Sequence, residues 1–166
     1  METSFSDFEN LKNLKAAFAF WIYGSYAGIL QLELLLTTAS SEKTVKIHGI
    51  HSFCRYFSTL KFAPDQIHRL AAYREDGKAI FNESFLNYLQ RIRVSFDIKA
   101  VSEGESVQAG QTILCIRGSK IELKIVEKAL VDFISKESEA NFELKTSRNP
   151  YNDIAIKEIC RAGNLL

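Results

Sequence analysis

Cysteine, proline, methionine and charge of one sign are all scarce in this chain. Its 166 residues hold three cysteines, two prolines, one methionine and one tryptophan. Cys54, Cys115 and Cys160 are widely spaced and odd in number, with no CxxC or zinc-finger spacing. That excludes a disulfide framework and a structural zinc site. We expect reduced, mostly buried thiols in a cytoplasmic protein. Lys and Arg total 21 against 20 Asp and Glu, a formal net charge of +1. No basic field points to nucleic acid or to an anionic membrane. Repeats and low-complexity stretches are missing too. Met1-Glu2 lacks the basic start of a signal peptide, so the Asn82-Glu83-Ser84 sequon carries no meaning.

What is present is a core. The hydrophobic fraction is 46% and the charged fraction 25%, the balance of an ordinary globular domain. A chain of this length buries ~70% of its unfolded surface and needs no staple. The longest apolar stretch, Ala16 to Leu36, approaches the ~20 residues of a membrane span. Gly24, Ser25 and Gly28 interrupt it, however, and a charge such as Glu33 costs ~3 kcal/mol at mid-bilayer. A helix ending near Gly24, followed by a buried strand from Ile29 to Thr38, fits better.

Phe8, Leu11, Leu14, Ala17, Phe18 and Trp21 share helical spacing, with Ser6 or Asp7 as cap. Ala39 to Lys43 is a polar turn, and Val45 to Ile47 a short return strand. Phe53, Tyr56, Phe57 and Leu60 mark a second helix. Pro64 opens a third, running to Tyr73, and forces Ala63 toward extended geometry. Arg74 to Lys78 is a charged turn around Asp76-Gly77. Asn82 caps a helix that turns Phe85, Leu86 and Leu89 inward.

The period then changes to two. Phe96, Ile98 and Ala100 alternate with Asp97 and Lys99. Gly104 and Gly110 bracket Val107, and Ile113 to Ile116 form a further strand. Ser119 caps a long helix from about Ile121 to Lys136. Residues 137–150 are polar and end in an Asn149-Pro150-Tyr151 turn. Asn152 caps a last short helix to Cys160, closed by Gly163, which has the look of a finished terminus.

Three stretches carry a family resemblance. Asn82 to Ile134, beginning NESFLNYLQRIRVSFDIKAVSEGESVQAGQTILCIRG, is similar to the FLDYL…AVPEG-x-x-V-x-x-x-x-P-L-L-x-V-x-G pattern of nicotinate phosphoribosyltransferase. HGIHSFCRYFSTLKFAPDQIHRL resembles that family's A-G-L-x-x-x-L-x-x-L-x-x-F-x-F segment. ENLKNLKAAFAFWIYG matches its T-D-L-Y helix at the apolar positions. The resemblance spans residues 9–134 and covers the N-terminal domain of the family, before its catalytic barrel.

The resemblance implies substrate-site positions, and these have changed. The family's TDLY tyrosine lies at the nicotinate site; Lys12 stands there, with Asn10 for the aspartate and Lys15 for the threonine. The family's next strand ends in F-F-R-K-x-P and reaches the active site. Here LELLLTTAS places Thr37 and Thr38 at the arginine and lysine positions. Threonine offers neither a fixed charge nor a bidentate anion clamp. No glycine-rich phosphate loop or acidic phosphoribosyl-binding run occurs. The glycine-and-strand unit around Gly104 and Gly110 also resembles the hammerhead of biotinyl and lipoyl carriers. Their usual lysine motif is flanked by small or methionine residues, and the one methionine here is Met1.

Other candidates have blander readings. His48 and His51 are three apart, but Gly49 intervenes and no third ligand follows, so capping or solvent exposure is expected rather than a metal. Cys54 follows His51 by three, yet catalysis needs a thiolate. Cys115 lies within a strand. Glu103 and Glu105 flank Gly104 and point different ways on an extended loop. Phe18, Phe20, Trp21, Tyr23 and Tyr26 surround the first helix. They imply either a covered interaction surface or a thicker core.

The expectation is a single α+β domain over residues 1–166: a small, mostly antiparallel β unit, hammerhead-like, with several packed helices. Residues 1–24 supply the N-terminal helix, 29–134 the core, and 137–166 an extension with a short helix. The resemblance implies a non-catalytic, truncated relative of nicotinate phosphoribosyltransferase working through protein contacts. The alternative is one chain of a split enzyme making nicotinate mononucleotide from nicotinate and phosphoribosyl pyrophosphate in NAD biosynthesis. A third reading keeps a pyridine-like ligand in the old cleft. We expect a protein partner or a homo-oligomer, no catalytic residue, metal or cofactor, and no small-molecule ligand.

Overall fold

The computed structural model describes residues 11–23, 28–39, 44–138, 142–150 and 164–165. The elements are α1 (Leu11–Ile22), β1 (Ile29–Ala39), β2 (Val45–Lys46), α2 (Ile50–Ser58), α3 (Pro64–Ala72), β3 (Arg74–Glu75), β4 (Lys78–Ala79), α4 (Glu83–Gln90), β5 (Asp97–Ala100), β6 (Ser106–Val107), β7 (Thr112–Ser119), α5 (Lys120–Glu137), β8 (Phe142–Pro150) and β9 (Asn164–Leu165). Helices and antiparallel ladders mix along the chain, so the domain is α+β.

Strand order in the main sheet is β8-β1-β7-β5-β9, and every pairing is antiparallel. β1 pairs with β7 on one side and β8 on the other, and β7 is the middle strand of the five. Side chains alternate along a strand. Leu32, Leu34 and Leu36 are therefore buried on the face where Leu30 and Leu32 meet Leu123 of α5 and Phe20 of α1. The opposite face carries Gln31, Glu33, Cys115 and Arg117, matched by the register pairs Gln31–Arg117 and Glu33–Cys115. Gln31 is buried, and its Nε2 has no hydrogen-bond partner among the described residues.

Local chemistry explains the helices. Ala63 sits at φ −66, ψ 152 before Pro64, and its N–H donates to Gln66 Oε1 at 2.8 Å. Asn82 Oδ1 accepts from the Phe85 N–H at 2.9 Å, and Ser119 Oγ from the Glu122 N–H at 3.1 Å. Both are N-cap bonds that satisfy an orphan donor of the first turn. Ile121, Ile125, Val126, Leu130 and Ile134 of α5 are all buried. Asp76 at φ 49 and Gly77 at φ 76 turn the β3–β4 hairpin, as left-handed central residues of a tight hairpin do.

The structure departs from the sequence expectation in two places. β2 pairs with β6, not back onto β1. Residues 142–150, expected as a polar stretch and turn, form the long strand β8 along β1. Among the described strands β8 ends the sheet, and its polarity and Pro150 suit that place. The expected cap at Asn152, its helix to Cys160 and Gly163 lie outside the described residues, as do Gly24, Tyr26 and the turn at 40–43.

Candidate functional site

Lys12, Thr37 and Thr38 fall on two different elements. Lys12 is exposed on the first turn of α1. Thr37 lies near the end of β1, where the register to β8 shifts between Leu36 and Thr38. The Thr37 side chain is exposed, and its hydroxyl donates to the Glu143 carbonyl at 3.0 Å. Thr38 is placed by its backbone pairing with Glu143. Among the described residues, no hydrogen bond joins Lys12 to Thr37. What these positions offer is one exposed ammonium and a hydroxyl already used where the strand register shifts.

The histidine, glutamate and cysteine candidates meet at the start of α2, as a structural clasp. Glu103 Oε1 accepts from the Gly49 N–H at 2.7 Å and Oε2 from the His51 N–H at 3.1 Å. His48 Nδ1 lies 3.7 Å from Glu103 Oε1. The His48 N–H donates to Ser138 Oγ at 2.9 Å, and that hydroxyl donates back to the His48 carbonyl at 3.2 Å. A carboxylate thus neutralises the positive end of α2, and a hydroxyl ties the preceding loop to the end of α5. Glu105 turns elsewhere: its Oε2 accepts from the Ser102 N–H at 2.8 Å. The two carboxylates diverge, as the sequence predicts. Glu103 as the cap of α2 was not legible, because 54 residues separate it from Gly49.

Cys54 is half-buried, and burial, then the Glu103 charge, raises its thiol pKa. Such a thiol stays protonated at neutral pH and is a poor nucleophile. Cys115 is buried in β7 opposite Glu33. The described residues hold no group of three His, Cys, Asp or Glu side chains gathered for a metal ion.

The aromatic set of α1 is largely spent inside the domain. Phe18 packs on Phe85 at 5.2 Å between ring centroids and on Phe81 at 5.6 Å. Trp21 lies 4.8 Å from Tyr88, and its Nε1–H donates to Ser84 Oγ at 3.0 Å. Phe20 lines a small cavity of about 60 Å³ with Leu30, Leu32, Leu123, Lys120, Lys124 and Glu127. The thicker-core reading holds for these three rings. Ile22, Tyr23 and Ile29 remain exposed. Among the described residues no helix is long and apolar enough to cross a membrane.

Comparison with known proteins gives this geometry a context. The sequence pattern of the nicotinate phosphoribosyltransferase N-terminal domain matches residues 34–135. The structure of human nicotinic acid phosphoribosyltransferase superposes with a TM-score of 0.66 at 17% identity, covering 75% of this chain and 25% of that one. Nicotinate-nucleotide pyrophosphorylase from Pyrococcus furiosus superposes with a TM-score of 0.52 at 9% identity, covering 81% of this chain and 27% of its own. These structural likenesses concern the fold, and the chain spans about a quarter of the length of either protein. No curated protein sequence matches.

Proposed function

The chain belongs to the nicotinate phosphoribosyltransferase family through its N-terminal domain, and from that premise we propose that it is a non-catalytic relative working through protein–protein contacts. It serves as a regulatory or repurposed scaffold in the cytoplasm, and no cofactor, metal or small-molecule ligand enters this reading. The observation that carries it is the state of the substituted positions. Thr37 stands where the resemblance places an arginine, and its hydroxyl is bonded to the Glu143 carbonyl. Arginine presents five donors and a permanent charge, and threonine presents one donor and none. Lys12 replaces a tyrosine with an exposed cation.

A second reading is one subunit of a split nicotinate phosphoribosyltransferase, with the barrel on another polypeptide. The retained domain pattern over residues 34–135 favours it. Such a complex would make nicotinate mononucleotide from nicotinate and phosphoribosyl pyrophosphate. The test is affinity capture from lysate of the source organism, followed by an activity assay on whatever barrel protein is recovered. A barrel active only with this chain establishes the split enzyme. A complete enzyme whose rate this chain changes establishes the regulator. Recovery of no barrel protein overturns both.

A further inference from the structure

We propose that two copies of this chain associate edge to edge through β8, antiparallel about a two-fold axis at Leu144. The ladder places β8 at the end of the sheet, with β1 its neighbour among the described strands. Which backbone groups of β8 face away from β1, and find no strand among the described residues, follows from two bonds. The Glu143 carbonyl accepts from Thr37 Oγ1, so it faces β1. The Leu36 N–H donates to the Gln111 carbonyl, and the Leu36 carbonyl accepts from the Gly110 N–H. Leu36 therefore spends its backbone on the β7 side, away from its register partner Leu144. Backbone groups alternate in direction along an antiparallel strand. The N–H and C=O of Phe142, Leu144 and Thr146 consequently point out from the edge.

Those outward residues admit a small set of two-fold registers. An axis at Leu144 bonds Leu144 to its own copy and Phe142 to Thr146. It sets Glu143 opposite Lys145, once on each side of the axis. Both charged side chains are exposed, and in non-hydrogen-bonded pairs the side chains lie closest. Moving the axis to Lys145 opposes two lysines, and moving it to Glu143 opposes two glutamates. An axis at Thr146 puts Pro150, which has no N–H, opposite Phe142. Attraction in one register, and repulsion or a lost donor in these three neighbours, is how a strand edge selects a partner of its own kind. The contact is small, so the dimer is a reversible one.

This inference concerns the chain alone and stands apart from any barrel-bearing partner. Its test is sedimentation velocity and light scattering of the purified chain over roughly 1 µM to 1 mM, the range of weak interfaces. The wild type is expected to show a monomer–dimer equilibrium. Lys145→Glu and Glu143→Lys each weaken it roughly tenfold, because two cross-strand attractions become repulsions. The double swap restores it to within about threefold, since the pair is coupled. Leu144→Pro removes an outward N–H that β1 does not use, together with a partly buried side chain; where its circular dichroism matches the wild type, it yields a monomer. A wild type that stays monomeric throughout overturns the proposal. So does a dimer indifferent to both single swaps, or one that the double swap fails to restore.

Discussion

Glu103 and Gly49 are joined across the fold by a 2.7 Å hydrogen bond from the glycine N–H to the carboxylate. With the second oxygen held by His51, one side chain closes the start of α2 from the far side of the β5–β6 loop. The same loop is tied down by its backbone, through Gly104 N–H to the Ile47 carbonyl at 2.7 Å.

Replacing Glu103 with alanine therefore removes a helix cap without disturbing the loop. The expected loss is about 1–2 kcal/mol, the worth of a capping interaction plus the exposed donors it leaves. Glu103→Gln keeps one acceptor and loses less. Urea unfolding followed by circular dichroism measures both, and an unchanged midpoint for the alanine variant would sink the capping account.

Gly49 itself leaves no room for a side chain. Its φ is +100, and a Cβ there would lie 2.4 Å from the Phe133 carbonyl oxygen on α5. Gly77 also has positive φ, at +76, but nothing lies within 4 Å of its would-be Cβ. Gly77→Ala should cost about 1 kcal/mol, the left-handed penalty alone. Gly49→Ala adds a backbone collision and should cost more than about 3 kcal/mol. Equal melting temperatures for the two variants would refute this difference.

What the sequence revealed depended on distance along the chain. Asn82 and Ser119 accept from N–H groups three residues on, and Pro64 presets φ at the first helical position, so these three helix starts could be read locally. The buried strand at Ile29 was legible from its unbroken leucines. β8 was not, because its residues are polar and its hydrogen-bond partner Thr37 lies 106 positions before Glu143. An edge strand needs one buried neighbour, not a buried face, and composition does not record neighbours. Lys12, Thr37 and Thr38 were singled out by family resemblance alone, not by any pattern of spacing or charge. That the Thr37 hydroxyl is bonded within the sheet required the fold.

Tyr56 supplies a test of a buried polar group. Its hydroxyl has no hydrogen-bond partner among the described residues, and burial pushes its pKa up to about 12. Tyr56→Phe removes an unsatisfied group of the same shape, so stability should hold or rise by about 1 kcal/mol. The raised pKa favours the protonated phenol in the folded state. Its contribution is complete below about pH 10 and is lost as pH climbs through about 12. Wild type should lose stability over that window faster than Tyr56→Phe. Parallel curves would refute the assignment.

Glu122 makes the corresponding prediction on the acid side. Burial raises its pKa, against hydrogen bonds from Ser119 and the Ser95 backbone that act the other way. The folded state thus holds the proton more tightly than the unfolded chain, whose reference value is 4.5. Stability from this group is fully present below that value and falls as pH rises through the higher folded pKa. Glu122→Gln removes the ionisation and leaves the Ser119 cap on the residue-122 N–H in place. The variant should be more stable than wild type at pH 7 and should show a flatter profile between about pH 4 and 7. The opposing force is the favourable field at the start of α5, where an acidic residue is normally stabilising. Thermal melts across that range decide which force is larger. A Glu122→Gln protein less stable than wild type at pH 7 would mean that the helix field and the two hydrogen bonds outweigh the burial of the charge.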